Sequence, residues 1–304
     1  IRRAQNIELP PDQTYVSIYD SYFALDARNR EENPVGRLAD RLSANIHIIT
    51  AGKQQVELVR SLLRELGFEQ EAHPVCTSIA DVFGVITMDE REQGALVFDF
   101  GATVSSYAVI QHDGVLLTGS IPVGVVNVAN DLSLALDLPF DFCMDFLRAS
   151  TLDKLREKGS NFLEYRTRGA TERVRRIPLD SFEKVMDLRI RETFQFMKEI
   201  LLRAGLARAL RAGAVLTGGG SMIPSAMQMF QDLMGVTVRR GEPLGITGAL
   251  SSFRSPMPCY AAVLGLLKHV ADLDPAAPGD PAGSVRDAVE RFADRVLNLF
   301  HSKK

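Results

Sequence analysis

Two short stretches carry residue types that could hold a phosphate. The first is Asp99-Phe100-Gly101-Ala102-Thr103, inside the run LVFDFGATVSSYAVI at Leu96–Ile110. An apolar strand pattern ends in an aspartate, a glycine follows, and Thr103, Ser105 and Ser106 add hydroxyls. The second is Thr217-Gly218-Gly219-Gly220-Ser221, between an apolar run and a helical pattern led by Pro224. Cradling an anion on backbone requires several N–H groups to converge with no Cβ in the way, which glycine permits. A carboxylate at the strand end, here Asp99, can then hold Mg²⁺ through water. Neither stretch is a dinucleotide fingerprint, because Ile223 stands where the third glycine of G-x-G-x-x-G belongs. No G-K-[ST] occurs, so there is no P-loop. Plainer readings stand beside these. D-x-G is a common hairpin turn, and three glycines also serve close helix-on-strand packing.

The elements around these turns follow from periodicity. Ala95–Phe100 and Ser105–Gln111 predict a hairpin around the DFGAT turn, and Asp113-Gly114 a second turn leading to a strand at Val115–Gly119. Upstream, Tyr15–Ile18 and Tyr22–Leu25 predict two short strands around a turn, and Asn45–Thr50 another strand. Lys53–Leu66 carries Val56, Val59, Leu62, Leu63 and Leu66 at helical spacing, with Gly67 at the stop position. Ser78–Met88 predicts a short apolar helix, and Asn130–Leu136 a helix after Ile121–Gly124. Asp180-Ser181-Phe182-Glu183 has the form of a capping box opening a long helix. Val185, Met186, Phe196, Met197, Ile200 and Leu201 form its expected buried side, and Gly205 its end. Then come a strand, the glycine turn and the helix through Phe230, a strand at Val236–Arg239 and a last apolar helix at Pro258–His269.

The 304 residues, 46% hydrophobic and 24% charged, suffice for two globular domains. A net charge of −3 and a pI near 6.0 speak against a general nucleic-acid binder. The local arginines Arg166, Arg168, Arg173, Arg175 and Arg176 read as a solvated charged hairpin. Cys76, Cys143 and Cys259 are scattered among apolar residues, without disulfide or zinc spacing, which suits a reducing cytoplasm. No apolar run is long enough to span a bilayer, and no signal peptide is visible. The chain opens on Ile1 in polar, mid-domain-like sequence, so an incomplete N-terminus is expected.

The C-terminal end has its own pattern. Ala271–Ser284, rich in Pro, Gly, Ala and Asp, reads as a flexible linker. Beyond it, Val285, Ala288, Val289, Phe292, Ala293, Val296, Leu299 and Phe300 fall on one face of a helix, with charged residues opposite. Such a helix, about 24 Å long at 1.5 Å per residue, suits the headgroup plane of a membrane. Five Lys/Arg against three Asp/Glu over Val285–Lys304 leave +2, favouring anionic lipid. A helix docked on the protein's own surface or on a partner has the same pattern.

Two glycine turns more than a hundred residues apart, each after an apolar strand, resemble the nucleotide fold shared by actin and Hsp70. NPVG (Asn33–Gly36) before a strand ending HIIT, then DERE-x-GALVFDFG (Asp89–Gly101), IPVG, VLTGGGSMIP and VRRGEPLGITG occur in the order found in the FtsA family of bacterial cell-division proteins. The resemblance covers nearly the whole chain. It implies an α/β actin/Hsp70-like nucleotide-binding fold with an FtsA-type 1C (SHS2-like) subdomain, the first strands of subdomain 1A and their phosphate motif being missing. The implied layout is 1–70 as subdomain 1C, 71–93 and 258–270 as the remnant of 1A, 94–137 and 212–257 as 2A, and 138–211 as 2B. The linker at 271–284 and an amphipathic membrane-targeting helix at 285–304 complete it.

The same resemblance implies ATP and Mg²⁺ as ligands. Asp99, Gly101, Ala102 and Thr103 fall on the second phosphate motif, with Asp99 holding Mg²⁺ through water, and Gly218, Gly219, Gly220 and Ser221 on the adenosine motif. Lys184, Asp187, Arg189 and Glu192 on the long helix match positions that contact ribose and base, or form a solvated helix face with i,i+3 and i,i+4 pairs. Val285, Val289, Phe292, Val296, Leu299 and Phe300 become the membrane-binding face. FtsZ, self-association into actin-like filaments and an anionic membrane surface are the implied partners. The implied place is peripheral, on the cytoplasmic face of the inner membrane at the division site. The chain departs from the family's D-[IV]-G-G-G-T turn, since Ala102 and Thr103 replace two glycines, Val104 the threonine, and Ser106 a later aspartate. A positive φ at Ala102 would strain its Cβ by about 1 kcal/mol or more. The D-x-G-A turn is also similar to that of PilM, the FtsA-like component of type IV pilus assembly, so an adaptor in pilus or secretion assembly is the alternative. No residue stands out for positioning a hydrolytic water, so weak ATPase activity or none is expected.

Overall fold

A computed structural model describes residues 7–26, 29–31, 34–68, 72–149, 151–166, 174–245 and 257–273. The amphipathic segment 285–304, the linker from 274 onward, Asn33, Arg168 and Arg173 lie outside them.

The chain opens with β1 (Gln13–Leu25), β2 (Asn29–Glu31) and β3 (Leu42–Gly52), an antiparallel sheet in the order β2-β1-β3. The two short strands expected in β1 are one strand of 13 residues. Its register against β3 shifts at Tyr15/Ser17 and again at Asp20/Tyr22. A bulge breaks the inside–outside alternation without ending the pairing, so the sequence reads as a turn there. Helix α1 (Lys53–Glu65) follows, and Gly67 at φ +82° takes the left-handed position beyond it. Of its apolar positions Val56 is buried, while Val59 and Leu62 are 55% and 50% exposed.

The single helix expected at Ser78–Met88 is two, α2 (Thr77–Val85) and α3 (Met88–Gln93). Thr87 restarts the chain as a capping box, its hydroxyl accepting from the Glu90 N–H and the Glu90 carboxylate accepting from the Thr87 N–H. Strands β4 (Ala95–Phe100), β5 (Ser105–Gln111) and β6 (Gly114–Ile121) form the expected meander, with His112 and Asp113 both at positive φ in the tight second turn.

Next come α4 (Val125–Leu136), α5 (Phe140–Arg148), α6 (Thr151–Glu157) and the antiparallel pair β7 (Phe162–Arg166) and β8 (Val174–Pro178). Helix α7 (Leu179–Arg203) begins before Asp180, and the capping box expected at Asp180–Glu183 does not form. Both carboxylates instead accept from the Arg156 guanidinium, at 2.9 Å for Asp180 and 2.6–2.9 Å for Glu183. The buried stripe of α7 is Phe182, Met186, Ile190, Phe194, Met197 and Leu201. Phe196, expected inside, falls off that stripe and is 44% exposed. Then follow β9 (Gly213–Thr217), α8 (Pro224–Met234) with Pro224 in its first turn, β10 (Val238–Arg240) and α9 (Ala261–Leu273). Ala271–Leu273, assigned to the linker by composition, are the end of that helix.

The second sheet has the order β10-β9-β4-β5-β6, with β10, β9 and β4 parallel and the rest antiparallel. Its strand β4 is buried on both faces. Leu96, Phe98 and Phe100 belong to a core shared with α4, α7 and α8, where the rings of Phe98, Phe194 and Phe230 meet edge-on or tilted at distances of 4.7–5.8 Å. Ala95 and Val97 face the other way, onto Val82, Val85 and Ala261 of α2 and α9. Arg239 ties this second layer down, reaching from β10 to the Glu90 carboxylate at 2.5–2.6 Å and the Val85 carbonyl at 2.5 Å.

Candidate functional site

Strand register brings the two glycine turns together. Asp99 of β4 lies opposite Thr217 of the parallel strand β9, so both turns leave the sheet at the same edge. Ligands of parallel α/β sheets settle at such carboxyl ends. The contact is close. A Cβ built on Gly218, which sits at φ +79°, would stand 2.0 Å from Asp99 Oδ1 and 2.7 Å from the Phe100 carbonyl oxygen. A Cβ on Gly220 would stand 2.2 Å from the Phe100 ring. Gly220 is therefore required by packing, and the buried Ser221 hydroxyl donates back to the Gly218 carbonyl at 2.7 Å. Thr217 Oγ1 lies 2.8 Å from the Gly241 carbonyl, holding the strand end in place.

The DFGAT turn is arranged differently. Its carbonyls at Gly101 and Ala102 accept from the Val125 and Val126 N–H groups at the start of α4, at 3.0 and 2.8 Å. The N–H groups of Gly101, Ala102, Thr103 and Val104 donate to no described residue. Ala102 is not among the positive-φ residues, so its Cβ carries none of the strain expected there.

The turns share a cavity of about 540 Å³. Asp99, Gly101, Ala102, Gly218 and Gly219 line it, with Met144, Leu147 and Arg148 of α5 on one side and Pro258, Cys259 and Ala261 on the other. Thr103, Gly220, Ser221, Lys184 and Asp187 are not in its wall. Thr103 is exposed at the turn's tip and Lys184 is exposed on α7. Asp187 accepts from the Ser225 hydroxyl of α8 at 2.8 Å, just beyond the cavity-lining Met222 and Ile223. Arg189 pairs with Asp131 of α4 and, three residues on along α7, with Glu192, both at 2.5 Å.

One further carboxylate lies in the wall. Asp81 of α2 is fully buried, and neither of its oxygens has a hydrogen bond in the described structure. Asp99 Oδ1 is likewise without one. Burial, and then the Asp99 charge, push the Asp81 carboxyl up to about 8, while burial pushes Asp99 up to about 6. Burial and the same Asp99 charge raise the Cys259 thiol. Asp81 had a sequence signal, as the lone charge in the apolar stretch Ile79–Ile86, which read as helix core. Cys259 had none beyond its type. Among the described residues no three His, Cys, Asp or Glu side chains converge as a metal cage. A cation here would take two carboxylates and leave its other positions to water or phosphate, as Mg²⁺ does.

Comparison with known proteins finds relatives by sequence and by fold. A family described as the SHS2 domain inserted in FtsA matches residues 1–50. The cell division protein FtsA of Pseudomonas aeruginosa is 26% identical over 269 residues, covering 88% of this chain and 63% of that protein. FtsA of Neisseria meningitidis is also 26% identical, covering 94% of this chain and 69% of that one. The chain thus spans about two thirds of the length of such relatives. Among solved structures, the PilM–PilN type IV pilus biogenesis complex superposes with a TM-score of 0.58 at 15% identity, covering 87% of this chain and 68% of that one. In sequence the chain is FtsA-like, and in fold it is an actin-like α/β protein with an SHS2-like segment over residues 1–50.

Proposed function

We propose that the protein is an actin-fold, ATP-binding tether of the FtsA kind, joining FtsZ filaments to the cytoplasmic face of the inner membrane. The observation that carries the nucleotide part is the convergence of two distant turns on one cavity, with four N–H groups on one of them that have no acceptor among the described residues. The residues present fit a nucleotide with its cation. Gly101 and Ala102 would face phosphate, Gly218 and Gly219 the nucleoside, and Asp99 the Mg²⁺, while Lys184 and Asp187 beside α8 would meet the ribose and base. Bound Mg²⁺ would supply the charge that the phosphates and the aspartates need neutralised. The division role is supported by similarity to FtsA proteins. The membrane role is supported by the 285–304 pattern, and no helix among the described residues is long and apolar enough to cross a bilayer.

Two measurements test this reading. Cys259 lines the cavity with an accessible thiol, so Mg-ATP should slow its alkylation, read on the Cys259 peptide. Unchanged alkylation at millimolar ATP would remove the nucleotide reading. Co-sedimentation with anionic vesicles and FtsZ polymer, for the chain and for a version ending at Ser284, tests the tether. FtsZ should reach the vesicles only with the longer chain. Vesicle binding that never brings FtsZ down would turn the reading toward an adaptor in pilus or secretion assembly.

A further inference from the structure

The period of β4 places Asp99 on the face that also carries Ala95 and Val97, the face covered by α2. Helix α2 presents Val82 and Val85 to that face, and Asp81 opens onto the cavity beside Asp99. A carboxylate this buried is expensive unless something pairs with it. No described donor reaches either Asp81 oxygen. The one basic side chain among the described residues of the cavity wall, Arg148, faces Asp145 at 3.7 Å and is 70% exposed. The site therefore holds two neighbouring carboxylates, three of whose oxygens are buried and unpartnered among the described residues, beside a turn whose amides have no described acceptor.

We infer that Asp81 is the second protein carboxylate of a divalent-cation seat, which it forms with Asp99 at the end of β4. Two carboxylates and waters complete the coordination of a hard cation without any nucleotide. The inference rests on the nucleotide reading only for the phosphates that would later replace some of those waters. It also gives the polar Asp81 a task in a stretch that packing alone would make apolar.

The probe is Mn²⁺ alone, titrated by electron paramagnetic resonance against the whole chain without nucleotide. Wild type should bind one Mn²⁺ at this site, and Asp81→Asn and Asp99→Asn should each weaken it at least tenfold. Asp81→Ser, with melting curves for every variant, guards against loss of fold, because a folded Asp81→Ser must show the same loss. Equal Mn²⁺ affinity in wild type and a folded Asp81 variant would overturn the inference. So would a wild type that binds no Mn²⁺, in which case a shared proton satisfies the pair. Cys259 protection of the wild type by Mg-ATP is scored separately. Loss of Mn²⁺ binding in the variants with no ATP protection would keep the cation seat and sink the nucleotide reading. Protection with unaltered Mn²⁺ affinity would do the reverse.

Discussion

The two turns of the cavity use glycine for different ends. The TGGGS turn looks the richer in sequence, yet two of its three glycines are explained by contact with the other turn. Gly218 lies against Asp99 and Gly220 lies against the Phe100 ring. The DFGAT turn has one glycine and looks impoverished, yet four successive N–H groups there have no described acceptor. Its carbonyls at Gly101 and Ala102 accept from the start of α4, while its amides have no acceptor among the described residues. On the proposed reading the glycine-rich turn is the scaffold and the glycine-poor turn would be the cradle. Counting glycines ranks them the wrong way round.

The comparison breaks most sharply at Gly220 and Gly218. A methyl at Gly220 meets Phe100, which is fully buried and packed edge-on to Phe194 at 5.6 Å, so the ring cannot swing aside. A methyl at Gly218 meets Asp99 and the Phe100 carbonyl and also strains a backbone at φ +79°. Gly220→Ala and Gly218→Ala should each cost about 3 kcal/mol or more, as overpacking and strain do. Urea unfolding checks this. A cost under 1 kcal/mol at both positions, on the scale of an ordinary surface change, would mean that the turns do not support each other.

The next effect is on pH dependence. Asp81 and Asp99 both carry raised pKa values, chiefly from burial. The folded state then holds protons that the unfolded chain has already released. Stability is full below the ordinary carboxylate value of 3.8 and falls as pH rises through about 8 for Asp81. In EDTA the melting temperature of wild type should therefore drop over that window more steeply than that of Asp81→Asn, which has no proton to lose there. The difference between the two curves isolates Asp81. Parallel curves would show that its carboxylate is partnered in solution. Mn²⁺ should flatten the wild-type curve by favouring the ionised pair.

Much of the frame was legible beforehand because it rests on local chemistry. The β4–β5–β6 meander, the Pro224 helix start and the Gly67, Gly205 and Gly235 stops all depend on one or two residues. Where tertiary partners decide, the sequence misleads. Asp180 and Glu183 look like a cap, but Arg156, more than twenty residues earlier, takes both. Phe196 and Phe194 are equally apolar, but the buried stripe of α7 runs through Phe194, and Phe196 lies on the far side of the helix. In the site, Asp99 and Gly101 were marked by their turn. Asp81 was hidden because a buried, unpaired carboxylate contradicts the rule by which a helix core is recognised.

On the adenosine side the expected effect is smaller. Lys184 is exposed on α7 and outside the cavity wall, so Lys184→Ala should leave stability within about 0.5 kcal/mol, as at other surface positions. If it meets the ribose or base it should weaken ATP severalfold in the Cys259 protection assay. An unchanged ATP dependence would restrict the nucleotide to the two turns.

The smallest effect belongs to Ala102, the residue that most weakens the match to a glycine-rich phosphate loop. Ala102 has no positive φ, and its carbonyl is already held by the Val126 N–H at 2.8 Å. Its exposed Cβ forces nothing out of place. Ala102→Gly therefore relieves no strain and adds only freedom to the unfolded chain, so it should destabilise by about 0.5–1 kcal/mol. ATP affinity, read by Cys259 protection, should stay within about threefold, since less than 0.7 kcal/mol separates the two backbones once folded. A tenfold gain in affinity would mean that the turn must move to a left-handed conformation to meet phosphate. The cradle would then be formed by the ligand rather than ready for it.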